Sequence, residues 1–142
     1  MGYQRVLVPV SGKHRLKRAA RALEHALRVV REDGEVCFLH CLTEMPYLLA
    51  GEEHRKLVMG DAREAEKLLS PLAERVRDSG IAYSVHILEG SPLTHIPRFV
   101  LERECEIVVM CVGDYSGSVE LAMGGVAERV FNVLGVPLII VH

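Results

Sequence analysis

Five short apolar runs alternate along the chain with segments of helical period. The runs are RVLVPV (5–10), EVCFLHCL (35–42), YSVHIL (83–88), EIVVMCV (106–112) and PLIIVH (137–142). The first, fourth and fifth are nearly continuous Val, Ile and Leu, the pattern of strands covered on both faces. Between the first and second runs, Leu16, Ala19, Ala20, Leu23, Leu27 and Val30 recur at spacings of three and four. That is one apolar stripe of a helix, and Gly34 is its expected stop. Between the second and third, Val58, Ala62, Ala65, Leu69, Leu72 and Val76 form a longer stripe ending near Gly80. Pro71 interrupts it and is expected to kink it, because its missing N–H and its ring cost about 3 kcal/mol inside a helix.

The third connection, GSPLTHIPRFVLERE, offers two helix starts. Ser91 as cap puts Pro92 at the first helical position but leaves Pro97 inside the helix. Thr94 as cap puts Pro97 in the tolerated first turn and is the preferred reading. The last helix carries Val126, Val130 and Val133 on one face, with Gly135 and Pro137 as stop signals. Strand–helix alternation with short connections predicts a doubly wound parallel sheet. Ligands of such sheets sit at the carboxyl ends of the strands, where the strand order reverses. If the first and fourth strands are neighbours, two loops meet that condition: VSGKH (10–14) and VGDYSGS (112–118).

At 142 residues the chain reads as a single domain, 1–142. A net charge of −2 gives no global attraction to nucleic acid or to an anionic membrane. No apolar run approaches the roughly 20 residues of a membrane span, and a cytoplasmic location is the expectation. The four cysteines are Cys37, Cys41, Cys105 and Cys111. CFLHC invites a metal reading, but on a strand Cys37 and Cys41 share one face while His40 points to the other. No second ligand pair of the C-x-x-C kind accompanies them, so no metal is expected and the cysteines read as small core residues.

The candidate chemistry lies in CVGDYSGSVELAMGG, residues 111–125. Strand, Gly/Ser loop and helix in succession is how α/β proteins hold phosphates, with loop amides and the helix N-terminus facing the anion. Its glycines nevertheless fit neither G-x-G-x-x-G nor the P-loop pattern, and Asp114 sits among them.

RVLVPVSG, FLHCL, EGSP, EIVVMCVGDYSGS and GGVAERVFNVLGVPLIIVH together resemble the universal stress protein family, in family order and across essentially the whole chain. The resemblance implies a flavodoxin-like (adenine nucleotide alpha hydrolase-like) doubly wound parallel sheet of five strands, order 3-2-1-4-5, with helices on both faces. It also implies a homodimer through the C-terminal strand, 137–142. One subset of the family binds ATP and another does not. The binders resemble one another in an Asp just after the first strand and in G-x2-G-x9-G-S/T after the fourth.

Laid over this chain, that frame puts Cys111 and Asp114 at the two leading glycines, with Gly113 one place out of register. Gly124 matches the third glycine, while Gly125 stands where Ser or Thr is usual and Ser11 where the binders carry Asp. Cys41 takes the position whose backbone would meet adenine, and Ser116 and Gly117 match the family's frequent R-S-G segment. The candidate nucleotide- or anion-binding residues are therefore Pro9, Val10, Ser11, Gly12 and Lys13 on the first loop, and Cys41 after the second strand. Cys111, Gly113, Asp114, Ser116, Gly117, Gly124, Gly125 and Val126 complete the set around the fourth strand and its loop.

Asp114 is the costly departure. A carboxylate about 4 Å from a phosphate charge costs roughly 4 kcal/mol at an effective dielectric near 20, close to a thousandfold in affinity. Two compensations stay open: Asp114 holding Mg²⁺ on a nucleotide, or a shifted loop that uses Gly113. In KHRLKRAAR, the cations Lys13, His14, Arg15, Lys17 and Arg18 crowd the first turns of a helix, where they oppose the dipole. They read as a solvated face or, alternatively, as an anion site shared with Ser116–Ser118. The histidines show no H-E-x-x-H, and Ser116 is not in a G-x-S-x-G elbow. The expectation is a dimeric, non-enzymatic regulatory module without high-affinity ATP binding, acting on an unidentified regulatory protein partner. An ATP- or AMP-dependent switch is the alternative.

Overall fold

Alternation along the strands sorts the core into two layers. The computed structural model describes residues 2–10, 16–42, 51–111 and 134–141. Its first strand, β1 (Tyr3–Val10), sends Val6, Val8 and Val10 into one hydrophobic cluster and Leu7 into another. The next strand, β2 (Val30–Leu42), repeats the division: Val36 and Phe38 join the first cluster, Cys37 and Leu39 the second. Helices α1 (Leu16–Val29) and α2 (Gly51–Asp78) cover the first face, and α3 (Pro92–Arg103) covers the second. With β3 (Ala82–Glu89), β4 (Ile107–Cys111) and β5 (Leu138–Val141), the strands form one sheet of order β3-β2-β1-β4-β5, every adjacent pair parallel. This is the flavodoxin-like order, with helices on both faces. The face of the last helix, Val126, Val130 and Val133, lies outside the described residues.

On α1, Ala19, Ala22, Leu23 and Ala26 are buried while Ala20 and Leu27 pack at the margin. Three small residues bring that helix close to the sheet. Gly34 is not its stop. The helix ends at Val29, β2 begins at Val30, and Gly34 lies within the strand. There β2 makes an excursion: Tyr3 pairs with Val30 but Arg5 with Glu35, leaving Arg31, Glu32 and Asp33 exposed. A Cβ on Gly34 would lie 2.7 Å from the Gln4 carbonyl oxygen, so the glycine answers a close approach of two backbones.

Pro71 lies inside α2 without ending it. Pro71 and Lys67 are both exposed, so the carbonyl freed by the missing N–H faces water, while Leu69, Leu72, Ala73 and Val76 hold the inner side to the sheet. The start of α3 corrects the preference for Thr94. Ser91 is the cap, its hydroxyl accepting from the Leu93 N–H at 3.2 Å, with Pro92 first in the helix and Pro97 inside it. Burial of Ile96, Phe99 and Val100 offsets the local cost of Pro97. Among the described residues no helix is long and apolar enough to cross a membrane.

Candidate functional site

The strand order reverses at β1, which has β2 on one side and β4 on the other. Pairing with β2 continues to Val10 opposite His40, whereas pairing with β4 is confined to Val6–Ile107 and Leu7–Val108. Among the described residues the carboxyl ends of β1 and β4 are thus unpaired with each other. A sheet opens a crevice for a ligand at such a point.

Of the residues singled out in the sequence, Pro9 and Val10 end β1, Cys41 is the penultimate residue of β2, and Cys111 ends β4. All four lie at the carboxyl edge of the sheet. Ser11, Gly12, Lys13, Gly113, Asp114, Ser116, Gly117, Gly124, Gly125 and Val126 lie outside the described residues. In the basic first turns of α1, Lys17 is exposed and Arg18 half-buried, and the first turn itself contains no acidic residue.

Two arrangements at this edge have no counterpart in the sequence pattern. His40 donates from Nδ1 to the Val10 carbonyl at 2.7 Å, tying the end of β1 to β2. A carbonyl only accepts, so Nδ1 carries the proton. The end of β3 is clamped from both faces. His54 of α2 meets the Glu89 carboxylate at 3.1 Å, and Nε2 of His95 on α3 donates to the Glu89 carbonyl at 2.8 Å. Gly90 follows at φ +121°, and its N–H reaches the Leu42 carbonyl at 3.0 Å. A Cβ there would stand 3.0 Å from Nε2 of His95, so EGSP is a turn that only glycine fills without strain. Residues 54 and 89 are too distant in the chain for spacing to have paired them.

Cys41 is half-buried and burial pushes its thiol up to about 11, so near neutral pH it is protonated and not a nucleophile. Cys37 and Cys41 share the α3 face of β2, opposite Val36 and Phe38. Among the described residues no group of three or more His, Cys, Asp or Glu side chains is arranged to hold a metal ion.

Comparison with known proteins gives this crevice its context. The family model described as the universal stress protein family matches residues 2–142. Universal stress protein MJ0531 of Methanocaldococcus jannaschii is 26% identical over 145 residues, covering 98% of this chain and 82% of its own. Among solved structures, the protein MJ0577 superposes with a TM-score of 0.84 at 22% identity, over 99% of this chain and 96% of that one. The universal stress protein of Archaeoglobus fulgidus in complex with dAMP superposes with a TM-score of 0.64 at 23% identity, over the whole of both chains. At such identities the structural likenesses bear on the fold alone.

Proposed function

Because the chain belongs to the universal stress protein family, we propose that it works as a stress-response and regulatory module, dimeric, non-enzymatic and without high-affinity ATP binding. The observation that carries this reading is Asp114, at a position where the family's nucleotide binders resemble one another in glycine, together with Ser11 where they carry aspartate. A carboxylate repels the phosphates that such a loop would hold, and the family's acid after β1 is missing. Acting through a surface toward a regulatory protein needs no catalytic group. The half-buried, protonated Cys41 at the carboxyl edge of the sheet fits that passive role.

A second reading, an ATP- or AMP-dependent switch, draws support from the dAMP-bound relative of Archaeoglobus fulgidus. Equilibrium titration with ATP and AMP, with and without Mg²⁺, separates the two. The expected result is no saturation in the micromolar range, and micromolar binding would establish the switch instead. The paired change Asp114→Gly with Ser11→Asp is then expected to tighten binding at least about tenfold, roughly 1.4 kcal/mol. An unchanged affinity would place the obstruction elsewhere.

The dimer rests on β5. It closes one end of the sheet with Leu138, Ile139 and Ile140 only half-buried and with neither Lys nor Pro between 138 and 141. An apolar edge strand of that kind is stable in solution when paired or covered. Pairing with the same strand of a second copy does this. Light scattering at micromolar concentration is expected to give twice the mass of the 142-residue chain, and a monomer would sink the dimer.

A further inference from the structure

The charge of α1 is lopsided. Its sequence, LKRAARALEHALRV, sets Lys17, Arg18, Arg21 and Arg28 against one acid, Glu24, in a chain whose net charge is −2. Lys17, Arg21, Glu24 and Arg28 are all exposed and follow one another at spacings of four, three and four. In a helix that spacing draws a single line along the outer side, opposite the buried Ala19, Ala22, Leu23 and Ala26. The line runs about 16 Å from Lys17 to Arg28. Arg18, half-buried, lies off it.

Local stability does not account for this line. Lys17 lies in the first turn, where the helix dipole disfavours a cation and no acid compensates. Lys17 and Arg21 are like charges four residues apart, which destabilises a helix. Glu24 stands three residues after Arg21 and four before Arg28, within reach of both. It pairs with neither. Its two oxygens accept from Nε and Nη2 of Arg75 on α2, at 3.1 and 3.3 Å. Among the described residues, Lys17, Arg21 and Arg28 are left without an acidic partner.

We propose that this outer face of α1 docks an acidic helix of a partner protein, its carboxylates set against Lys17, Arg21 and Arg28. Charge complementarity gives the chemistry of the occupant, and the interruption of the line gives its form. A nucleic acid strand carries a charge about every 3.4 Å. Laid along α1, it would press phosphates on Glu24 and, past the end of the helix, on Glu32 and Asp33, all three exposed. An anionic membrane likewise presents charge without gaps. A helix carries carboxylates only at certain positions and can leave a space opposite the Glu24–Arg75 pair. This surface serves the regulatory partner of the proposed function and rests on that reading. Nucleotide titration tests the reading, and peptide binding tests the surface.

The test titrates the full chain, at about 0.05 M salt, into a labelled alanine-based helix whose three glutamates repeat the spacing of Lys17, Arg21 and Arg28. Fluorescence anisotropy is expected to show saturable binding, weakened at least about threefold at about 0.5 M salt. Lys17→Glu, Arg21→Glu and Arg28→Glu together should weaken it at least about tenfold. Arg55→Glu, Lys56→Glu and Arg63→Glu together, at exposed cations of α2, should leave it unchanged. Glu24→Gln carries the opposite sign: it removes the acid from the line and frees Arg75, so binding should tighten about threefold. The proposal is overturned by no binding of the peptide, or by an equal loss in the α2 variant. It is overturned too by equal affinity for a peptide of the same composition with its glutamates scattered round the helix. Tighter binding to a DNA duplex or to phosphatidylglycerol vesicles would overturn it in favour of those partners. A mass by light scattering that falls on charge reversal would assign the face to a second copy instead. Where the triple variant of α1 fails to fold, an unchanged affinity in Glu24→Gln still overturns the proposal.

Discussion

Replacing Phe38 by alanine is expected to remove about 3–5 kcal/mol of unfolding free energy, a large part of what a domain of this size has. The side chain is fully buried, one of the largest in the molecule with no exposed surface. It stands on β2 between Val8 of β1 and Val85 of β3, on the face that α1 and α2 cover. Alanine removes the ring's transfer free energy and leaves a cavity that three paired strands are poorly able to close. Urea unfolding measures this as a lower midpoint at unchanged slope. The same truncation at Leu101, which is 80% exposed on α3, should move the midpoint little. Equal effects at the two positions would contradict the layering of the core.

Gly34→Ala is expected to cost about 2–3 kcal/mol, the upper part of the range for overpacking. The added methyl would meet the Gln4 carbonyl oxygen at 2.7 Å, Cγ2 of Val30 at 2.9 Å and the Tyr3 carbonyl oxygen at 3.0 Å. Two of these are backbone atoms of a central strand, so relief requires β1 to move. Gly60 of α2 supplies the opposite sign. Nothing stands within 4 Å of its would-be Cβ, so Gly60→Ala should stabilise by about 0.5–1 kcal/mol through backbone entropy and helix propensity. Both midpoints moving the same way in urea would refute the steric account of Gly34.

That glycine also shows what the residues alone leave open. Each of the five apolar runs became a strand, because long stretches of Val, Ile and Leu have few stable places other than a covered sheet. Ala19, Leu23 and Val30 of the α1 stripe likewise faced the core, though Ala22 and Ala26 proved as buried as Leu23. Gly34 follows a helical pattern and so resembles a stop, yet what it accommodates is β1, which lies some thirty residues earlier. No local rule contains that contact. Ser91 and Pro97 fail for a related reason: the penalty at Pro97 is local, while the burial of Ile96, Phe99 and Val100 that outweighs it is tertiary.

The candidate site divides along the same line. Spacing and family likeness lead to residues 10–14 and 111–125, because glycine and aspartate positions are counted along one segment. Glu35, Ser84 and His86 come from two strands and meet only through the register that sets Cys37 beside Ser84 and Leu39 beside His86. Such a cluster is written in the pairing of strands rather than in any stretch of sequence.

The strand order has a consequence for the protein as it is being made. The segments β1, α1, β2, α2 and β3 are contiguous in the chain up to Glu89 and neighbours in the sheet. A nascent chain can therefore complete three strands and one of their two covers before β4 has left the ribosome. During that interval the free side of β1 is an open edge, and the surface awaiting α3 is bare, with Leu7, Cys37 and Leu39 upon it. Residues from 92 onward close both, the helix first and the strand after it.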